Sequence, residues 1–192
     1  MPRLADTREQ IMERAAGLLM RHGYKGFSYR DIASHLGVKN AAIHYHFPSK
    51  TDLALALVEQ YNTVLREQTG EFMANGGPAR PQLEGLFAFT RRQFANGQCI
   101  CPVGAFAVDY EDLPDSVKEA TQSFMTDSGR WLTRVLETGR RQGEFHFDGD
   151  PRHKAQFILA SLQGARQIAR IRGIHVLEAV FGEIRAALGL SA

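Results

Sequence analysis

Residues 28–50, SYRDIASHLGVKNAAIHYHFPSK, contain the signals for two short helices joined by a tight turn. Ser28 precedes the first helix and Asp31 follows three positions later, which is the spacing of a capping box. Gly37 ends that helix, because glycine adopts a positive φ without a Cβ penalty. A second short helix follows at about 39–46. The stretch therefore predicts a helix-turn-helix.

The second short helix has the composition of a helix that enters a DNA major groove. Ala42, Ile43 and Phe47 are its apolar core candidates, and its other positions are polar, small or aromatic. Lys39 can donate to guanine acceptors or a phosphate, Asn40 can pair with an adenine edge, and Ala41 can approach a thymine methyl group. An ordinary helical hairpin with a solvated polar face would show the same periodicity, so the residues alone leave both interpretations open.

Further residues of this stretch suit contacts to the DNA backbone. Tyr45 and Lys50 can contact phosphates, which fix the register of a protein on DNA without carrying sequence information. Ser49 and Asp52 form a second capping box, and the NH groups at that helix start also favour a phosphate. The predicted DNA-contacting residues are Ser28, Tyr29, Arg30, Lys39, Asn40, Ala41, His44, Tyr45 and Lys50.

The distribution of charge supports the same interpretation. Residues 1–50 contain eight Lys and Arg against four Asp and Glu, a net charge of +4, whereas the remaining residues carry −2. The basic excess thus lies in the part of the chain that contains the helix-turn-helix, where it attracts phosphate. The overall net charge of only +2 excludes a histone-like coating protein.

The stretch from Thr7 to about Glu59 resembles the DNA-binding domain of the tetracycline-repressor (TetR) family of bacterial regulators. The matching positions are Ile11, Ala15, Leu18, Gly23-Tyr24, Phe27-Ser28, Asp31-Ile32-Ala33, Leu36-Gly37-Val38, Ile43-His44-Tyr45-His46-Phe47, Ser49-Lys50 and Leu53. The resemblance implies that Tyr45 contacts a phosphate or stacks on a base, and that Lys50 holds the DNA backbone at the start of a fourth helix. Asn40 replaces the lysine or arginine more usual in the family, which leaves the base preference open.

The periodicity of the chain predicts an all-α protein of about nine helices, without a sheet. The first helix is expected at about 7–22, opened by a Thr7/Gln10 capping box, and the sixth from Pro102 to about Tyr110. The other helices are expected at about 29–36, 39–46, 50–74, 80–95, 114–142, 151–171 and 174–188. We expect a DNA-binding domain at 1–50 and a ligand-binding and dimerisation domain at 51–192.

The resemblance implies a homodimer formed by the last two helices, which pair with those of a second chain as a four-helix bundle. Both helices carry more apolar and small surface than one core-facing stripe needs. The expected interface residues are Phe157, Ser161, Ala165, Ile168, Val180 and Ile184. Two DNA-binding helices spaced by about one DNA turn, about 34 Å, would then bind a palindromic operator. Burial of both helices against their own chain is the alternative.

A small-molecule inducer is expected in a largely apolar cavity, which the family encloses with its fourth to seventh helices. The candidate lining residues are Tyr61, Phe87, Phe106, Tyr110, Phe124 and Trp131. Aromatic residues at helical spacing are more often ordinary core. An acidic cluster at 109–115 could favour a cationic ligand or could be a solvated loop.

Cys99 and Cys101 form the one reactive-looking feature of the chain. A helix opened by Pro102 would place Cys101 at its N-cap, where the dipole favours a thiolate. The chain could then be a repressor that senses electrophiles or oxidants. Two reduced structural cysteines are the alternative.

The sequence argues against an enzyme and implies no cofactor or metal. It contains no Gly-rich phosphate loop, no HExxH motif and no paired carboxylates, and His44 and His46, two positions apart, lie on different helix faces. The N-terminus has no apolar leader segment, and no stretch is long enough to span a bilayer, so we expect a bacterial cytoplasmic protein. An activator or a chromosome-organising DNA-binding protein remains an alternative to a ligand-released repressor.

Overall fold

The computed structural model describes residues 4–97 and 100–190, which form nine α-helices, one 3-10 helix and no strand. The α-helices are α1 Leu4–His22, α2 Tyr29–Leu36, α3 Asn40–His46, α4 Lys50–Asn75, α5 Ala79–Ala95, α6 Pro102–Phe106, α7 Asp115–Gln142, α8 Pro151–Arg172 and α9 His175–Ala187. The 3-10 helix is Ala107–Asp112. The predicted all-α class is confirmed.

Two predicted helix boundaries were wrong. Helix α1 begins at Leu4, so Thr7 and Gln10 lie inside it; residues 4–6 contain no glycine or proline that would stop the helix. The sixth α-helix ends at Phe106 and not at about Tyr110, and a 3-10 helix follows it directly. Within that 3-10 helix the backbone of Asp109 is not helical, with φ −107° and ψ 21°.

The chain divides into two compact units. The first unit contains Met1–Thr63 and Pro102–Phe124, and the second contains Val64–Cys101 and Met125–Ala192. Helices α4 and α7 each contribute residues to both units. The functional division at residues 1–50 and 51–192 stays a prediction.

The core of the first unit is built by the apolar faces of α1 to α4. Ile11, Ile32, Ile43 and Leu53, one from each helix, are all buried. Helix α1 also packs on α6, which brings a distant part of the chain into this unit. Removing these side chains from water is the main stabilising contribution to the helix-turn-helix.

In the second unit, α9 packs on α8 and is joined to α5 by side-chain contacts. The rings of Phe87 and Phe181 stack with their centroids 4.5 Å apart. Arg185 donates two hydrogen bonds to the Glu84 carboxylate, at 2.7 and 2.6 Å, and they hold the pKa of Glu84 below its usual value. A second bidentate pair joins Arg91 to Glu178. The two pairs fix the position of α9 along α5.

Candidate nucleic-acid interface

Helix α2 has the end signals that its sequence predicts. The Asp31 carboxylate accepts hydrogen bonds from the Ser28 N–H and the Ser28 hydroxyl, both at 2.7 Å, and these bonds lower the pKa of Asp31. At the other end, Gly37 adopts φ +67°, and the Val38 N–H donates to the Ala33 carbonyl at 3.1 Å. The sharp turn into α3 is therefore set by local chemistry.

Tyr29 is buried, although the sequence suggested that it contacts DNA. Its hydroxyl donates a hydrogen bond to the Phe47 carbonyl at 2.9 Å. Burial, with a smaller contribution from the charge of Asp52, raises the pKa of Tyr29 to about 12. The side chain joins the start of α2 to the end of α3, so its role is to position α3 and the prediction of a direct contact is corrected.

Helix α3 presents one continuous exposed arc. Asn40, Ala41, His44 and Tyr45 are exposed along it, and Tyr45 has 74% of its surface accessible. Ile43 on the opposite side is fully buried. The spacing i, i+1, i+4 and i+5 places these four side chains within about 140° of the helix circumference. A narrow exposed face backed by a buried isoleucine fits a helix that enters a groove.

The remaining predicted contacts flank this arc. Arg30 and Lys39 are exposed, and Lys39 occupies the N-cap of α3 in an extended conformation. Ser28 is also exposed, but its hydroxyl donates to Asp31. Both cations remain accessible to an anion, which suits contacts to phosphates.

Lys50, predicted to contact a phosphate, instead binds backbone of its own chain. Its ammonium donates hydrogen bonds to the carbonyls of Tyr24 and Phe27. The nitrogen also lies 4.7 Å from the centroid of the Tyr24 ring and 4.2 Å from that of Phe27. Burial lowers the pKa of Lys50, against the opposing effect of Asp109 and Asp31. The prediction is corrected: this lysine closes the turn between α1 and α2.

Sequence reasoning missed the residues on the other side of that turn. The Asp109 carboxylate accepts from the Lys25 N–H at 3.1 Å, and the Lys25 ammonium lies 2.7 Å from the Asp112 carboxylate. Gly23, at φ +75°, lies so close that a Cβ there would be 2.6 Å from Asp109 Oδ2. The acidic residues were noticed, but their partner lies 84 positions away. Periodicity contains no signal for such a pair.

The predicted dimer residues divide into exposed and buried groups. Phe157 and Ile168 on α8 are 56% and 49% exposed, and Ser161 and Val180 are half-buried. Ala165 and Ile184 are buried in the core of the second unit. Their assignment to an interface is corrected, because each shares a helix face with residues that pack on their own chain. Those neighbours are Ile158, Leu162, Ala169, Leu177, Phe181 and Leu188.

The exposed group belongs to a stripe that runs along α8. Phe157, Ser161, Gly164, Ile168 and Ile171 alternate at spacings of four and three residues, so they lie on one face. Ile171 is 88% exposed, which is the highest exposure among the large apolar side chains described. An apolar stripe of this kind is typical of a surface that a second helix covers.

The six candidate ligand residues lie in different environments and are distributed over both units. Phe87 is fully buried against Phe181, and Phe106 is buried with its ring 6.1 Å from that of Tyr24. Tyr110 is half-buried and accepts a hydrogen bond from Gln122. Trp131 is buried, whereas Tyr61 and Phe124 are half-buried. Phe87 and Phe106 therefore contribute to packing.

The structure shows the surroundings of one of the two cysteines, Cys101. Cys101 is a half-buried thiol directly before α6, whereas Cys99 lies outside the described residues. Helix α6 has only five residues, which weakens the dipole argument for a thiolate at Cys101. Thiol sensing stays a prediction.

Metal-binding clusters and membrane-spanning helices are both absent from residues 4–97 and 100–190. These residues contain no group of three or more His, Cys, Asp or Glu side chains placed to hold a metal ion. None of their helices has the length and apolar character needed to cross a membrane.

Together these features define an all-helical protein with an N-terminal helix-turn-helix. Residues 11–57 match the family model "Bacterial regulatory proteins, tetR family", and residues 71–180 match "Tetracyclin repressor-like, C-terminal domain". The second match alone covers more than half of the chain.

Solved structures and curated proteins agree with these matches. A TetR-family transcriptional regulator from Agrobacterium tumefaciens is 32% identical, with a TM-score of 0.85 over 99% of this chain and 100% of that one. A TetR regulator from Legionella pneumophila is 29% identical, with a TM-score of 0.82 over 95% and 97%. The Escherichia coli K12 repressor NemR is 23% identical over 94% of this chain and 92% of its own. This chain belongs to the TetR family: it is a DNA-binding transcription regulator and not an enzyme.

The buried hydroxyl of Tyr29 generates a stability prediction. Tyr29→Phe removes the bond to the Phe47 carbonyl and should lower the free energy of unfolding by about 1 kcal/mol in urea denaturation. Tyr45→Phe, at an exposed site, is the control and should stay within about 0.5 kcal/mol of wild type. Unchanged stability of Tyr29→Phe with a large loss of DNA affinity would instead indicate that the hydroxyl contacts DNA.

Proposed function

We propose that this protein is a dimeric repressor in the bacterial cytoplasm, bound to a palindromic operator and released from it by a small apolar ligand. In this proposal residues 1–50 bind DNA, and residues 51–192 bind the ligand and form the dimer. The observation that carries it is the exposed arc of α3, where Asn40, Ala41 and His44 offer a donor, a small surface and a ring to a major groove.

Repression is favoured over the alternatives by the relatives. The name of the E. coli relative, matched over most of both chains, describes a transcriptional repressor. A repressor of this kind needs only to occupy a promoter and to leave it when a signal arrives. Activation or chromosome organisation would need further surfaces, for which the described residues offer no specific support.

Dimerisation is supported by the apolar stripe of α8. One α3 helix covers only about half of a typical operator, so two DNA-binding domains linked in one dimer are needed for tight binding. Phe157, Ile168 and Ile171 expose apolar surface that a second copy would remove from water. The interface proposed here therefore uses the exposed stripe and not the buried Ala165 and Ile184.

Ligand binding is supported by a buried donor in the second unit. Trp131 Nε1 is buried and has no hydrogen-bond acceptor among the described residues. A buried donor without an acceptor costs about 1–3 kcal/mol, so a ligand that supplies one gains differential affinity there. The ligand proposed here is accordingly apolar with one acceptor oxygen or nitrogen. It releases DNA only if it binds the off-DNA state more tightly.

Selection from random duplexes tests the DNA-binding part of the proposal. Wild-type protein should enrich an inverted repeat whose half-site centres are about 10 base pairs apart. Asn40→Ala should lose preference at one base pair of each half-site, by about 1–3 kcal/mol. The control Asn96→Ala, exposed at the end of α5, should select the wild-type repeat. Failure of the wild-type protein to enrich any sequence would overturn the proposal.

The dimer interface has a separate test. Ile171→Asp places a charge on the exposed stripe without entering the core of its own chain, so it should give folded monomers with at least tenfold weaker operator binding. Gln167→Asp adds the same charge at an exposed position about 40° or more around α8 and should remain dimeric. Sedimentation velocity at micromolar concentration measures both variants, and a dimeric Ile171→Asp protein would contradict this interface.

A further inference from the structure

The ring of His44 is held on two sides. Its Nδ1 lies 3.2 Å from the Pro48 carbonyl oxygen. The Tyr29 ring packs against it edge-on, with centroids 4.8 Å apart and planes at 66°. Tyr29 is itself fixed by its hydrogen bond to the Phe47 carbonyl. The imidazole is therefore held in one orientation, although His44 is exposed.

This arrangement determines which nitrogen carries the proton. A carbonyl oxygen only accepts hydrogen bonds, so Nδ1 must be the donor to Pro48. A neutral imidazole has one donor and one acceptor nitrogen. The bond to Pro48 thus leaves Nε2 as a hydrogen-bond acceptor on the exposed side chain.

The position of His44 on α3 decides what that acceptor can meet. His44 lies one helical turn after Asn40 and Ala41, on the arc proposed to enter the major groove. Phosphate oxygens are acceptors and cannot donate to Nε2. In the major groove the donors are the exocyclic amino groups, N6 of adenine and N4 of cytosine.

We propose that His44 is a specificity-determining residue, whose Nε2 accepts a hydrogen bond from the exocyclic amino group of an adenine or a cytosine in each half-site. The inference rests on the proposed DNA-binding function, and it adds the chemical group that this side chain recognises. Tyr29 and Pro48 act as positioning residues, because they fix the tautomer and orientation of the ring.

The experiment uses the repeat selected by the wild-type protein, with every measurement made at pH 8. Single amino groups are removed by replacing an adenine with purine or a cytosine with 2-pyrimidinone, one position of the half-site at a time. Removal at one position should weaken wild-type binding about 5- to 30-fold, and the base replaced there shows whether adenine or cytosine is the partner.

Two variants separate the roles of the ring nitrogens. His44→Asn keeps a nitrogen donor near Pro48 but places no acceptor at the position of Nε2, so it should bind the amino and the amino-free duplex equally. His44→Gln keeps a distal acceptor but removes the bond to Pro48, so it should retain part of the discrimination and melt at a lower temperature. The same change at exposed His35 on α2, His35→Asn, is the control and should discriminate as wild type does.

The outcomes distinguish this inference from the proposed function. Wild-type protein that binds its repeat specifically but tolerates removal of every adenine and cytosine amino group would overturn the role of His44 alone. Equal discrimination by wild type and His44→Asn would overturn it as well. Wild-type protein without any sequence preference would overturn the proposed function, and with it this inference. The analogue measurements on the wild-type protein need no variant to fold.

Discussion

The ammonium group of Lys50 is the constraint on which the first unit depends. It is the first residue of α4, and it binds the carbonyls of Tyr24 and Phe27, which belong to the turn between α1 and α2. The rings of the same two residues also lie against the nitrogen. The two carbonyl oxygens and the two ring faces therefore stabilise an ammonium charge that would otherwise be costly to bury. One side chain thereby fixes α1, α2 and α4 relative to each other. Because α3 lies between α2 and α4 in the chain, its position is constrained at both ends.

The other side of the same turn is held by a different part of the chain. Asp109 and Asp112, on the 3-10 helix, bind the backbone and side chain of Lys25. The helix-turn-helix lies in one compact unit with residues 102–124, so the geometry of its turn also depends on that segment. A change of structure in residues 102–124, or in α4, would therefore alter the turn between α1 and α2 and, through it, the position of α3. The proposed release of DNA by a ligand would need a physical connection of this kind.

Local signals were sufficient to predict the fold. Helix ends are set within a few residues of sequence by the capping residues Ser28 and Asp31, by Gly37, by the proline before α7 and by the proline that begins α8. Most predicted boundaries agree with the structure to within one or two positions. The all-α class follows from these signals and from periodicity alone.

Roles that depend on distant contacts could not be predicted in the same way. Tyr29 and Lys50 were both expected to contact DNA, Lys50 because a basic side chain suits a phosphate. Their partners Phe47 and Tyr24 are 18 and 26 positions away. The assignment of Ala165 to an interface failed for a related reason. Composition showed that α8 has apolar residues on more than one face, but not which face its own chain covers.

The salt dependence of operator binding tests the role of Lys50 most directly. We predict that Lys50→Met and wild type give the same slope of log affinity against log salt, because both proteins neutralise the same number of phosphates. Amide hydrogen exchange at residues 23–28 should become faster in the variant, since the turn no longer has its ammonium donor. A slope smaller in magnitude by about 0.9 for each phosphate that the variant fails to neutralise, with unchanged exchange in the turn, would contradict this account and return Lys50 to the DNA backbone.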